Sequence, residues 1–128
     1  MTVILVPASG EDIVINWWNW RPTVAALVRA GILPMGEREK RCLSNGCGGY
    51  LSDSEALQAA EHIDALIGGM QPGQRLWHDG QVTDKVIDYN LPISDWDDVE
   101  TWQRYSARYD VFKSFAAFCR RSGGFEVV

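Results

Sequence analysis

The sequence predicts an α+β fold: a single domain, residues 1–128, in which an antiparallel or mixed sheet, built from two hairpins and a C-terminal strand, is covered by three helices. Three observations carry this expectation. Two β-rich runs near the amino terminus are separated by turn-type residues. Apolar residues then recur every three or four positions in three separate stretches. An Asp79-Gly80 dipeptide, favoured in tight hairpins, stands between two further short apolar runs. A chain of 128 residues can bury roughly two-thirds of its unfolded surface, so a core forms without disulfide or metal staples.

The elements follow in order. Thr2–Val6 and Asp12–Asn16 read as strands of a hairpin around Pro7–Glu11. Trp17, Trp20, Val24, Leu27 and Val28 share one helix face, and Pro22 and Gly31 suggest that this first helix covers residues 22–30. Residues 34–51 are the least regular stretch, with mixed charges over Gly36–Arg41 and a turn cluster at Asn45–Gly49. Ser52-Asp53-Ser54-Glu55 has the spacing of a capping box. It opens a second helix with Ala56, Ala59, Ala60, Ile63 and Ile67 on one face and Gly68-Gly69 at its end.

Arg75–His78 and Gln81–Thr83 then flank a two-residue Asp79-Gly80 turn, and Lys85–Tyr89 extends the second strand. Ser94-Asp95 offers a cap for the last and longest helix, whose stripe runs Val99, Trp102, Tyr105, Tyr109, Phe112, Ala116 and Cys119. Acids at its start (Asp95, Asp97, Asp98, Glu100) and Arg120-Arg121 at its end complement the helix dipole. Gly123-Gly124 stops it, and Phe125–Val128 rejoins the sheet. The expected core is Trp17, Trp20, Leu27, Ile63, Ile67, Trp102, Tyr109, Phe112 and Phe115.

Composition narrows the function. The chain is 46% apolar and 23% charged, a globular balance, and carries a net charge of −5. That sign disfavours nucleic acid and anionic membrane and suits a basic protein partner. The odd count of three cysteines fits a reducing cytoplasm better than a secreted disulfide framework. No basic n-region precedes Val3–Val6, and no apolar run nears the roughly 20 residues that span a bilayer.

Reactive motifs are thin. Cys42, Cys47, Cys119, His62 and His78 lack the paired spacing of a zinc site, so no metal or cofactor is expected. The acids from Asp84 to Glu100 do not follow a calcium loop. The glycines around Cys47 lack the Lys-Ser/Thr of a phosphate loop, and Asp53 and Glu55 would repel phosphate there. Cys47, His78 and Asp79 contain the parts of a nucleophilic triad, but His78 and Asp79 are adjacent and Asp79 already serves its turn.

Two functional expectations remain. The favoured one is a small acidic non-enzymatic module that binds or regulates a protein partner, using Trp96 among Asp97 and Asp98, or Trp18, as an aromatic anchor. The other is a ligand binder or enzyme with a pocket near Trp18 and Arg21, facing Asn45, Cys47 and His78. Self-association into a homo-oligomer is compatible with both.

Overall fold

The computed structural model describes residues 2–33, 43, 48–77, 80–84 and 106–128. Strand β1 (Thr2–Pro7) alternates as a half-buried strand should: Val3 and Leu5 are buried while Thr2 and Ile4 face outward. It pairs antiparallel with β2 (Ile13–Asn16), Val3 opposite Ile15 and Ile4 opposite Val14, as the hairpin reading expects.

Helix α1 (Trp17–Arg29) leaves β2 with no intervening loop. Its start differs from the expected Pro22. The Asn16 side chain accepts the Asn19 N–H at 3.0 Å and so caps the helix well upstream. Pro22 therefore lies inside the helix, where its missing N–H removes one rung of the backbone ladder. Burial of Pro22, Thr23, Val24, Ala25, Ala26 and Leu27 outweighs that loss. The far end matches expectation. Gly31, at φ +74°, donates to Val28 O and Ile32 donates to Leu27 O, the paired bonds of a Schellman motif.

Of the turn cluster expected at Asn45–Gly49, residues 45–47 lie outside the described residues, and strand β3 (Gly49–Ser52), which the sequence reading missed, begins at its last glycine. Its pairing partner lies far along the chain, so no local pattern announced it. Helix α2 (Asp53–Gly68) then begins with the expected capping box: Glu55 N donates to Ser52 Oγ at 3.2 Å, and Ser52 N donates to Glu55 Oε1 at 2.9 Å. Ala56, Ala59, Ala60 and Ile63 are buried on one face, and Ile67 is half-buried. Three alanines on that face let α2 approach its neighbour closely.

Strands β4 (Arg75–Trp77) and β5 (Val82–Thr83) form the second hairpin, with Arg75 opposite Thr83 and Leu76 opposite Val82. A two-residue turn at Asp79-Gly80 would instead set Leu76 opposite Thr83. The register is thus shifted by one residue; Gly80 takes φ +94°, and His78 and Asp79 lie outside the described residues.

The largest difference precedes the last helix. Strand β6 (Ser106–Arg108) interrupts the expected stripe and pairs with β4, so α3 (Tyr109–Ser122) begins only after it. Two long-range bonds fix this boundary: Arg108 N donates to Asn19 Oδ1, and Tyr109 N donates to Gln74 O. A period near 3.6 that happens to run across the junction misled the sequence reading. With 14 residues, α3 is shorter than the 16-residue α2 rather than the longest helix. The expected cap at Ser94-Asp95 and the acids Asp95, Asp97, Asp98 and Glu100 lie outside the described residues.

The left-handed Gly123 ends α3, and β7 (Gly124–Val127) follows. The strands form two antiparallel sheets instead of one, in the orders β2-β1-β7-β3 and β5-β4-β6. The C-terminal strand joins only the first hairpin, because β7 is flanked by β1 and β3 while β4 takes β6 as its second neighbour.

Between the larger sheet and the helices lies the core, with α2 packed along α3. Phe115 is its centre. Its ring meets Trp20 edge-on at 5.6 Å and Phe125 at 6.0 Å, while Phe118 meets Phe125 at 5.2 Å. Trp20 Nε1 donates to Leu43 O at 2.8 Å, which satisfies the one polar atom of that buried indole. Of the expected core, Trp20, Leu27, Ile63, Phe112 and Phe115 are buried. Trp17, Ile67 and Tyr109 pack against it half-buried, and Trp102 lies outside the described residues.

Candidate functional site

The first turn of α1 divides its tryptophans among different tasks. Trp20 enters the core and Trp17 packs against its edge. Arg21 lies over the Trp17 ring, its guanidinium carbon 4.9 Å from the ring centre. The indole face that could have stacked a ring or cation is thus occupied by the chain's own arginine. Trp18, half-buried, lines a separate pocket of about 190 Å³ with Asn16, Asn19, Arg75 and Arg108. The expected companions Asn45, Cys47 and His78, and the acidic anchor Trp96, Asp97 and Asp98, lie outside the described residues.

Asn19 organises this corner. It is 3% exposed, and its Oδ1 accepts the Arg108 N–H at 2.9 Å while its Nδ2 donates to Asn16 Oδ1 at 2.7 Å. Its carbonyl accepts the Thr23 hydroxyl at 2.8 Å. One buried amide therefore ties the start of α1 to β6, and through β6 to Arg75 on β4. Asn19→Asp keeps the acceptor for Arg108 but turns an oxygen toward Asn16 Oδ1. A loss of about 1–3 kcal/mol is expected, read in urea as a lower midpoint at unchanged slope.

Arg75 and Arg108 are direct cross-strand partners on β4 and β6. Arg75 Nη1 donates to the buried Ser106 hydroxyl at 3.4 Å, which holds one guanidinium in place. No described acid pairs with either arginine. The ion pair among the described residues joins Arg120 to Asp64 instead. The sequence reading missed both arginines, because only the β4–β6 register brings residues 75 and 108 together.

Beside this pocket runs a groove of about 300 Å³ between β2 and α3, lined by Ile13–Asn16 on one side and by Asp110, Val111, Ser114 and Phe115 on the other. It shares Asn16, Asn19 and Arg108 with the Trp18 pocket, so the two adjoin. Among the described residues, β2 is an edge strand. Ile4 exchanges both of its backbone bonds with Val128 on the far side of β1. By alternation, Val3 and Leu5 turn their polar groups to Ile15 and Ile13, and Val14 aims its N–H and C=O at the open edge. The Val14 side chain is 62% exposed.

No protein-family model, curated protein or solved structure matches this chain significantly.

Elsewhere, His62 lines a cavity of about 180 Å³ with Arg29, Leu66 and Leu76. Desolvation, helped by the Arg29 charge, lowers its pKa and favours the neutral imidazole. Cys119 is buried and free, and burial pushes its thiol up to about 12. So high a value leaves almost no thiolate at neutral pH, and Cys119 acts as a small core residue. Among the described residues, no cluster of His, Cys, Asp and Glu could hold a metal ion, and no helix is long and apolar enough to cross a membrane.

Proposed function

We propose that this protein is a non-enzymatic interaction module that takes an extended segment of a protein partner as an added strand along β2. The observation that carries this reading is the groove between β2 and α3, into which the open edge of the sheet faces. An added strand would pair with the outward N–H and C=O of Val14, and its alternate side chains would meet Val111 and Ser114 on the wall. The two adjoining pockets measure about 300 and 190 Å³. They lie at or below the lower end of the about 300–1,000 Å³ range usual for small-molecule sites. Asn16, Arg75 and Arg108 line the smaller pocket with hydrogen-bonding side chains, which suits recognition. In this reading the module works in the cytoplasm, where a free thiol such as Cys119 is the usual state.

The test is a selection of displayed random decapeptides on the immobilised full chain, repeated with Val14→Pro. Proline at that position removes an outward N–H and leaves the ladder to β1 in place. Selected peptides should alternate apolar and polar residues and bind Val14→Pro at least about tenfold more weakly, at an unchanged melting temperature. A selection that yields no extended peptide, or peptides indifferent to Val14→Pro, rules the reading out. So does a homodimer that Val14→Pro dissociates, since a second copy would then be the added strand.

A further inference from the structure

We infer that the partner segment is acidic, and that one of its carboxylate side chains seats in the pocket formed by Trp18, Arg75 and Arg108. The inference rests on the strand-addition reading and adds the chemistry of the partner to it.

Charge complementarity is the main argument. Residues directly opposite on antiparallel strands have Cβ atoms about 4.5–5.5 Å apart, on the same face, and like charges so placed repel. Arg75 and Arg108 are such a pair, in a chain with 17 acids and 12 basic residues. No described acid forms an ion pair with either, and Asp110, the acid nearest in sequence to Arg108, lines the neighbouring groove. A carboxylate between the two guanidiniums would convert this repulsion into two charge-assisted contacts. Arginine suits that task better than lysine because its planar fork matches both carboxylate oxygens.

The surroundings agree in size and position. The Ser106 hydroxyl already restrains Arg75, so less side-chain freedom is lost when an anion arrives. The first turn of α1 contributes Trp18 to the pocket and contains no acid that would compete. A volume of about 190 Å³ admits one side chain. The groove meets the pocket at Asn16, where β2 gives way to α1, so a segment lying on β2 delivers a side chain there. The net charge of −5 favours a basic partner only at long range, whereas these arginines act at contact distance.

The decapeptides selected above provide the probe. Each is remade with its acidic residue as Asp or Asn and titrated against the wild-type chain and against Arg75→Gln/Arg108→Gln. The selected peptides should carry Asp or Glu at a fixed offset from their apolar alternation. Exchanging Asp for Asn should weaken binding to the wild type about tenfold or more, and should have little effect on the double variant. The double variant should remain folded, relief of repulsion between two like charges offsetting the lost Arg75–Ser106 bond. Two results would overturn the inference: extended peptides with no fixed acid, or an Asp-to-Asn effect that persists in the folded double variant. Either leaves strand addition standing as long as Val14→Pro still weakens binding. A selection with no extended peptide overturns both.

Discussion

Gly124→Ala is expected to cost about 2–4 kcal/mol and to lower the melting temperature by roughly 10–15 °C. Two effects combine at this residue. Gly124 adopts φ +101°, a conformation that side-chain-bearing residues reach only under strain. A Cβ there would also lie 2.9 Å from Leu51 O, 3.0 Å from Asp53 N and 3.1 Å from the Ser52 carbonyl carbon. All three are backbone atoms at the junction of β3 and α2, so none can rotate away. The displacement would fall on Ser52, the residue that caps α2. Gly68→Ala is the control: it lies in the last turn of α2 with nothing within 4 Å of the added carbon. That change should leave stability unaltered or raise it by up to about 1 kcal/mol. Similar thermal shifts for the two variants would refute this account of how β7 starts.

Phe115→Ala should be the most damaging change in the core, with an expected loss of about 3–5 kcal/mol. Domains of this kind are stable by only about 5–15 kcal/mol, so at the lower end of that range the loss would remove most of the stability. Phe115 is fully buried and bridges two layers, its ring touching Trp20 of α1 and Phe125 of β7. Removing it leaves a cavity facing both rings and withdraws their edge-to-face contacts together. Phe115→Leu should recover much of the loss, because it refills most of the volume without restoring the aromatic geometry. Equilibrium urea unfolding measures both. If alanine costs less than about 1 kcal/mol, the core closes over the site and the ring stack is not its centre.

What the sequence made legible follows from the range of the interactions involved. The capping box at Ser52 and the stop at Gly31 involve residues within a few positions of one another, and both were readable. The hairpin of β1 and β2 was equally local. Strands β3 and β6 escaped because each is held by a partner distant in the chain: β3 by β7, and β6 by β4. The start of α1 was misplaced because two local rules competed, proline at a first helical position against asparagine as a cap, and the cap prevailed. The candidate site was legible only in part. Trp18 was singled out, yet its companions Arg75 and Arg108 meet it through strand register and the Asn19 amide, which no spacing rule encodes.

The placement of β7 between β1 and β3 bears on how the protein is made. Both flanking strands leave the ribosome before it, and the larger sheet stays split until residues 124–127 emerge. At about 5–20 residues per second, β1 waits on the order of ten seconds for this neighbour. During that interval the nascent chain exposes two strand edges that the finished molecule hides, and unpaired edges of this kind favour pairing with other chains.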